Sequence, residues 1–326
     1  MKNKNTLLIA ALLAGAGLIG LQSAQAAEGL QHVTASAASD YAKTKYPILF
    51  THGMFGFTRV GFDSFGMDYF YQVLPDLARN GANAFAAQVS PLESTEVRGE
   101  QLLSQVEEVR AITGLDKVNL IGHSHGGPTV RYVAAVKPQY VASVTGVAGT
   151  FRGSLVADKI QESKGLNSLF GVLGGQLLGP IITWAEGNSR LPVNMNASLA
   201  SISEKGAAAF NQKFPTAALA SSCSSSGAAL EKGVRYYSWT GTAQTTNLLD
   251  VLDTAISQLA PLAYGNTDND GLVGRCSTHL GQVIRDNYRH NHLDEVNMVF
   301  GLRSIFSPDP VALYRQHANR LRLQGL

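Results

Sequence analysis

The segment from Val118 to Gly127 decides the fold; it reads Val-Asn-Leu-Ile-Gly-His-Ser-His-Gly-Gly. A short apolar run breaks there into Gly-x-Ser-x-Gly, and a plausible helix follows. This order is the sequence pattern of a nucleophile elbow, a sharp strand-to-helix turn that holds a serine hydroxyl clear of a sheet. Glycine two residues to either side leaves room for the strained turn. The pattern predicts that Ser124 is a nucleophile; the alternative is an ordinary loop whose serine caps a helix.

Apolar strand candidates alternate with helical stretches along most of the chain. The predicted strands are Pro47 to Thr51, Ala84 to Val89, Val118 to Ile121, Val141 to Val147 and Val234 to Trp239. The most regular helical period runs from Thr95 to Thr113. Such alternation favours a mostly parallel central sheet with helices on both faces. Together with the elbow it predicts an α/β-hydrolase fold, built as a single domain over residues 27–326.

The start of the chain has the features of a secretory signal peptide. Met-Lys-Asn-Lys precedes an apolar stretch from Leu7 to Leu21 and the small-residue site Ala24-Gln-Ala26. An apolar stretch of about 15 residues is short for a membrane anchor, which needs roughly 20. We therefore expect a signal peptide over residues 1–26 and a secreted, extracellular enzyme. Cleavage would remove Lys2 and Lys4 and bring the formal net charge from +2 to zero. With no basic run either, nucleic acid is not an expected partner.

The chain contains two cysteines, Cys223 and Cys276. In a secreted protein an even pair most simply forms one disulfide. Closing a loop of about 50 residues is worth on the order of 4 kcal/mol of loop-closure entropy. The bridge would clamp the region that holds the candidate catalytic acid.

A serine attacks an ester at neutral pH only with an imidazole base and an acid that orients this base. In α/β-hydrolases the order along the chain is serine, acid, histidine. That rule leaves several candidates on the C-terminal side of Ser124. They are His279, His290, His292 and His317 for the base, and Asp250, Asp253, Asp268 and Asp270 for the acid. Asp270 and His292 are favoured because each lies in a polar turn; that of Asp270 follows the last predicted strand.

A second motif predicts an oxyanion hole, the pair of backbone N–H groups that stabilises the negative oxygen of the reaction intermediate. An early strand ends in His52-Gly-Met-Phe-Gly56, a glycine-rich turn that lets a backbone N–H point into the site. Met54 would give one N–H, and His125, the residue after the nucleophile, the other. An ordinary strand-to-loop turn is the alternative, and His52 is better suited to support the loop than to react.

The stretch from Leu166 to Trp184 is apolar nearly all round and contains four glycines and Pro180. A buried helix pair would explain it, whereas the proline and glycines disfavour a transmembrane helix. We expect instead a movable helical lid, within an insertion at about residues 155–200. An enzyme needs such a lid if it hides an apolar cleft in water and opens it on a lipid surface.

Five longer motifs resemble the secreted triacylglycerol lipases of Pseudomonas and its relatives, bacterial lipase family I.1, over essentially the whole mature chain. They are His52-Gly-Met-Phe-Gly-Phe, Glu96-Val-Arg-Gly-Glu-Gln-Leu-Leu, the segment from Val118 to Pro128, Asn269-Asp-Gly-Leu-Val-Gly, and Ile284-Arg-Asp-Asn-Tyr-Arg-His-Asn-His-Leu-Asp-Glu-Val-Asn. The resemblance implies Ser124 as nucleophile, Asp270 as acid and His292 as base. It also implies oxyanion N–H groups from Met54 and His125, a disulfide between Cys223 and Cys276, and a lid over roughly Asn167 to Arg190.

The same resemblance implies one structural Ca²⁺ ion. Its ligands would be the carboxylates of Asp250 and Asp294 and the backbone carbonyls of Met298 and Leu302, a set of hard oxygen donors that suits calcium. By its own sequence context, Asp294 is instead typical of a helix N-cap. One departure from the family concerns Phe151, which stands where relatives have a histidine.

The expected function is therefore that of a secreted lipase that hydrolyses acylglycerol esters at an oil–water interface through an acyl-enzyme. The resemblance also implies a dedicated lipase-specific foldase in the periplasm as a partner, and export across a second membrane. Two alternatives remain open at this stage. One is an esterase for short, soluble esters, and the other is a non-catalytic α/β-hydrolase that serves as a binding module.

Overall fold

The structure is a computed structural model that describes residues 29–62, 65–163 and 191–326. Its strands are β1 Gln31–Val33, β2 Ile48–Thr51, β3 Arg59–Phe62, β4 Phe65–Asp68, β5 Ala84–Ala87, β6 Val118–His123, β7 Val141–Val147, β8 Leu230–Glu231, β9 Val234–Gly241 and β10 Gln282–Tyr288. The main sheet has the order β1-β5-β2-β6-β7-β9-β10, β8 pairs with β9, and β3 and β4 form a separate hairpin. From β5 to β10 the neighbours in that order are parallel, whereas β1 and β8 pair antiparallel. The predicted mostly parallel sheet is confirmed.

The helices are α1 Val73–Arg79, α2 Thr95–Thr113, α3 Gly126–Val136, α4 Leu155–Glu162, α5 Met195–Ile202, α6 Glu204–Lys213, α7 Val251–Tyr264 and α8 Pro310–Leu323. Helix α2 has the predicted bounds. The side chain of Ser94 caps its first turn by accepting a hydrogen bond from the N–H of Val97, and Gly114 ends it at φ 68°. In the described part of the chain, no helix is long and apolar enough to cross a membrane.

Two hydrophobic cores lie on opposite faces of the sheet. Because side chains alternate along a strand, neighbouring residues of β2 point into different cores. Phe50 packs with residues of α1 and α8, among them Leu77 and Tyr314. Leu49 packs with residues of α2 and α3 on the other face, including Val106. Helices therefore cover both faces, as the α/β-hydrolase prediction requires.

The structure corrects the strand predictions, and two of the corrections bear on the site. Strand β5 ends at Ala87 and not at Val89, because the backbone N–H of Gln88 already donates to the side chain of Gln105. Strand β10 was not predicted, and the loop of Asp270 therefore does not follow the last strand but precedes it. Its sequence, Gln282–Tyr288, is an edge strand with several exposed side chains, and it lacks the continuous apolar run of a buried parallel strand.

The topology brings several loops to one edge of the sheet. The loop with Met54 follows β2, Ser124 follows β6 directly, and His292 follows β10. These strands are parallel, so their carboxyl ends meet at the same edge, where open α/β sheets bind ligands. The predicted signal peptide and the predicted lid, Asn167 to Arg190, lie outside the described residues.

Candidate active site

Ser124 occupies the strained turn that the sequence predicts. Its φ of 56° is in the left-handed region, which costs a non-glycine residue conformational energy. The flanking glycines allow this turn, because a Cβ on Gly122 would lie 2.1 Å from the carbonyl oxygen of Gly126. A Cβ on Gly126 would lie 2.5 Å from the carbonyl oxygen of Thr51. Neither glycine can therefore carry a side chain while the turn keeps its shape.

A cavity of about 180 Å³ lies beside Ser124 and His292, which both line it. Most of the remaining wall is aliphatic or aromatic. The apolar lining comprises Met54, Phe55, Phe57, Val156, Ala157, Ile160, Leu199, Ile202, Leu252, Ile256, Leu259, Leu272, Val273, Leu293 and Met298. The cavity thus places a hydroxyl and an imidazole at the wall of a space suited to hydrocarbon.

His292 is held by Asp270, which does not line the cavity. Nδ1 of His292 lies 2.8 Å from Oδ2 of Asp270, and both side chains are buried. The other carboxylate oxygen accepts the backbone N–H groups of Leu272 and Val273 at 3.0 and 2.7 Å. These bonds fix the carboxylate as an acceptor, so that Nδ1 carries the imidazole proton and the Nε2 lone pair is free to accept one.

The other candidate bases have partners elsewhere. His279 pairs with Asp286 at 3.0 Å, His290 with the carbonyl oxygen of Pro308 at 2.7 Å, and His317 with Oγ1 of Thr145 at 2.8 Å. Among the rival acids, Asp268 pairs with Arg275 on the surface. Asp253 accepts the backbone N–H groups of Thr246 and Asn247, and Asp250 accepts that of Leu252. Of the candidates, His292 and Asp270 are the pair that bond to each other.

The glycine-rich loop after β2 lies against Ser124. A Cβ on Gly53 would be 2.7 Å from Cβ of Ser124, so only glycine permits this approach. Met54 follows and lines the cavity. Imidazole Nδ1 of His52 lies 2.8 Å from the carbonyl oxygen of Gly53, while Nε2 accepts the N–H of Val89. Burial, and to a lesser extent the charge of Arg98, lowers the pKa of His52 to about 3, so it supports the loop as a neutral group.

Arg98 also holds this loop, and sequence reasoning assigned no role to Arg98 beyond its place in a family motif. Its fully buried guanidinium donates to the carbonyl oxygens of His52, at 2.6 Å, and of Ser90. Desolvation lowers the pKa of Arg98 to about 9. A charged residue on the buried face of a helix is the sequence signal that could have identified it.

His125 turns its side chain away from the reacting groups. Its Nε2 lies 2.9 Å from Oγ1 of Thr95, and burial lowers its pKa well below the ordinary value. Its backbone stands at the N-terminal end of α3, where N–H groups are without helical acceptors and the helix dipole is positive. Tyr69 and His123 are further buried residues at the site that sequence reasoning missed.

The residues expected to bind calcium lie in two neighbouring loops. Asp250, Asp294 and the nearby Asp253 are all buried, and none is within salt-bridge distance of a Lys or Arg of the described chain. Desolvation, with the charges of Asp253 and Asp250, raises the pKa of Asp294 to about 7. Buried carboxylates without a cationic side chain are chemically suited to a hard divalent cation.

Asp294 is not the helix N-cap that its sequence context indicates. It is the first residue of a 3-10 turn, Asp294–Val296, and the side chain of Asn291 accepts its backbone N–H at 2.9 Å. No group of three or more His, Cys, Asp or Glu side chains in the described ranges is arranged to hold a metal. The predicted calcium ligands are of a different kind: two carboxylates, those of Asp250 and Asp294, and the backbone carbonyls of Met298 and Leu302.

The predicted disulfide between Cys223 and Cys276 is confirmed, with a Cα–Cα distance of 4.9 Å. Cys276 lies in a 3-10 turn, Arg275–Thr278, shortly after the loop of Asp270. Phe151, which the family resemblance marks as a departure, is buried in the core with residues of α2 and α3. A Cβ on Gly146 would meet its ring at 2.4 Å, so the ring packs over the end of β7.

Comparison with known proteins agrees with this geometry. Residues 46–244 match the family described as the alpha/beta hydrolase fold. The mature form of a Bacillus licheniformis lipase superposes with a TM-score of 0.58 at 18% identity, over 83% of this chain and 94% of that one. Staphylococcus hyicus lipase gives a TM-score of 0.56 at 18% identity, over 86% and 97%. Because both structures are only 18% identical to this chain, the similarity shows a shared fold and nothing further.

Closer relatives are found by sequence. A triacylglycerol lipase of Vibrio cholerae is 50% identical over 289 residues, which cover 88% of this chain and 90% of the relative. A triacylglycerol lipase of Burkholderia plantarii is 40% identical, over 90% of each chain, and one of Pseudomonas fragi is 40% identical, over 88% of this chain and 99% of the relative. With this identity over nearly the whole length of its relatives, the chain belongs to the triacylglycerol lipase family of α/β hydrolases.

Proposed function

We propose that this protein is a lipase that hydrolyses acylglycerol esters with long acyl chains through a covalent Ser124 acyl-enzyme. The observation that carries this proposal is the apolar cavity with Ser124 and His292 at its wall and Asp270 bonded behind His292. An apolar cavity takes up an acyl chain by the hydrophobic effect, at about 0.8 kcal/mol for each buried methylene group. The long chain is therefore a source of binding energy.

In the first half of the reaction, Nε2 of His292 accepts the proton of Ser124 as Oγ attacks the ester carbonyl carbon. The carbonyl oxygen becomes an oxyanion and accepts the backbone N–H groups of Met54 and His125. The bond to the glycerol oxygen then breaks, and His292 gives its proton to that oxygen. Asp270 keeps the proton on Nδ1 and stabilises the imidazolium. The acyl group is now an ester of Ser124.

In the second half, water takes the place of the released alcohol. His292 accepts one proton of the water molecule, whose oxygen attacks the acyl carbon, and the same N–H groups stabilise the second oxyanion. Collapse breaks the bond to Oγ of Ser124, which recovers its proton from His292, and the fatty acid leaves. Each proton taken by His292 is returned, so the enzyme is regenerated.

A structural calcium ion belongs to this proposal. Asp250 and Asp294 would supply carboxylates, and Met298 and Leu302 backbone carbonyls. When bound, the ion would balance the buried negative charge of these carboxylates. Asp294 is two residues from His292, so holding its side chain would fix the loop that carries the base.

Three further parts of the proposal rest on the sequence pattern and the family resemblance. They are a lid over roughly residues 167–190, secretion directed by a signal peptide over residues 1–26, and folding assisted by a dedicated foldase in the periplasm. The apolar cavity supports the lid, because an open hydrocarbon site would otherwise face water.

Replacing Ser124 with alanine tests the function. Ester hydrolysis should be abolished while the folded protein is still produced, and a phosphonate ester should label Ser124 only in the parent enzyme. Substantial remaining hydrolysis would refute the nucleophile assignment. A clear preference for dissolved short-chain over dispersed long-chain triglycerides would favour an esterase, and an absence of both hydrolysis and labelling a binding module.

A further inference from the structure

Four large apolar side chains stand exposed on two loops near the cavity. Leu248 and Leu249, before α7, are 87% and 80% exposed, and Ile305 and Phe306, before α8, are 90% and 75% exposed. We call these four residues the apolar patch. Exposing them to water has a free-energy cost.

The two loops of the apolar patch belong to one surface. The side-chain amide of Asn247 donates to the backbone carbonyl oxygen of Arg303 at 3.3 Å, which joins the loops directly beside the patch residues. Residues that follow or precede these loops line the cavity: Leu252, in the first turn of α7, and Met298, before the 3-10 turn Val299–Gly301. The apolar surface and the apolar cavity are thus built from adjoining parts of the chain.

Arg289 is the cation at the edge of the apolar patch, because the charge of Arg303 is balanced by Asp309. The segment 296–308 contains Arg303 and no acidic residue, and Asp250, beside Leu249, is buried. Arg303 pairs with Asp309 at 3.3 Å. Arg289 is exposed, and its guanidinium carbon lies 5.9 Å from the centre of the Phe306 ring. An apolar surface edged by a cation fits a partner that presents hydrocarbon and anionic groups together.

We propose that the apolar patch and Arg289 form a docking surface for lipid aggregates that carry fatty-acid carboxylates. This inference rests on the proposed function, because hydrolysis itself releases fatty acids into the lipid surface and makes it anionic. The four side chains enter the hydrocarbon while Arg289 meets the carboxylates at the level of the head groups. Docking places the mouth of the cavity against the substrate phase.

Vesicle binding tests the docking surface directly. The protein carries Ser124→Ala so that it cannot hydrolyse lipid, and its binding to phosphatidylcholine vesicles with and without oleic acid is measured by flotation. The double variants L248S/L249S and I305S/F306S should each bind both kinds of vesicle about tenfold more weakly or worse. R289Q should lose mainly the additional binding that oleic acid produces. In the parent, added salt should weaken this additional binding, because salt screens the attraction between Arg289 and the carboxylates.

Exposed apolar residues far from the site provide matched controls. Ile112, 53% exposed, lies near the C-terminal end of α2, which leads to the amino end of β6 at the opposite edge of the sheet. Leu323, 73% exposed, ends α8. I112S and L323S should bind vesicles like the parent. Binding of the patch variants equal to that of these controls would overturn the proposal.

Activity assays with intact Ser124 separate this proposal from the proposed function. The patch variants should hydrolyse a dissolved short-chain nitrophenyl ester at the parent rate and lose about tenfold on a triolein emulsion. A parent protein that hydrolyses neither substrate would refute the lipase function, whatever the vesicle result. The variants could instead give a low yield of folded protein and, once folded, bind vesicles like the parent. In that case the patch binds a folding partner, and the lipid docking proposal is wrong.

Discussion

Nε2 of His123 lies 2.9 Å from the backbone carbonyl oxygen of His292, although the two residues are 169 positions apart in the chain. The other ring nitrogen of His123 lies 2.7 Å from the hydroxyl of Tyr69, which accepts the backbone N–H of Gly53 at 3.0 Å. Burial and the neighbouring His292 lower the pKa of His123 well below its ordinary value. Neutral His123 therefore donates to His292 and accepts from Tyr69, and the chain of bonds connects the loops of the base and of the oxyanion hole.

Removing the Tyr69 hydroxyl should disturb this connection without touching the triad. Tyr69→Phe leaves the N–H of Gly53 and one nitrogen of His123 without their partner, at a cost of about 1–3 kcal/mol of stability. We expect kcat on a dissolved ester to fall about tenfold with little change in KM, because the groups that contact the transition state lose alignment.

Tyr132→Phe is the matched control for that change. The Tyr132 hydroxyl bonds to Glu100 between α2 and α3, outside the cavity lining. The Tyr132→Phe variant should lose stability, but its kcat should not fall as much as that of Tyr69→Phe. If Tyr69→Phe keeps the parent kcat while losing stability, the bond chain only stabilises the fold.

Asp270→Asn should reduce kcat by about 10³ to 10⁴ while the fold persists. The amide can still bond to His292 but favours the wrong tautomer and no longer stabilises the imidazolium. The chain offers a second buried His next to an Asp, His279 with Asp286, for comparison. Asp286→Asn should keep kcat within about twofold of the parent. Equal losses in the two variants would contradict the assignment of Asp270.

Local pattern was sufficient to predict the elbow of Ser124, the parallel sheet and helix α2, because each depends on residues close together in the chain. It could not choose Asp270 and His292, which lie 22 positions apart and become partners only through folding; the family resemblance made that choice. The helical pattern could mark Arg98 as a buried charge but not reveal its role, since the backbone carbonyl oxygens that it binds belong to other loops.

Removal of calcium should destabilise the protein. A ligand held at a concentration 100 times its Kd stabilises the folded state by about 2.7 kcal/mol, which corresponds to roughly 5 °C in Tm for a chain of this size. Chelation should lower Tm by about that amount, and readdition of calcium should restore it. Asp250→Asn keeps the cap on α7 but should remove the response to calcium, whereas the exposed control Asp268→Asn should retain it. An unchanged Tm after verified calcium removal would count against the site.

Buried neutral histidines should make the fold sensitive to mild acid. Burial is the main cause of the lowered pKa values of His52, at about 3, and of His125 and His317. Because the unfolded chain takes up these protons near pH 6.5 and the folded chain does not, their stabilising contribution is present above that pH and is lost as pH falls. Each histidine can contribute a slope of up to about 1.4 kcal/mol per pH unit.

Urea unfolding between pH 7 and pH 5 measures this slope, and His317→Gln offers the sharpest comparison. His317 sits between Thr145 and Arg320, with Nδ1 accepting from the guanidinium at 3.0 Å, so protonation would break that bond. The variant should be less stable at pH 7 but lose stability less steeply toward pH 5. A His317→Gln protein with the parent slope would show that His317 does not contribute to the acid sensitivity.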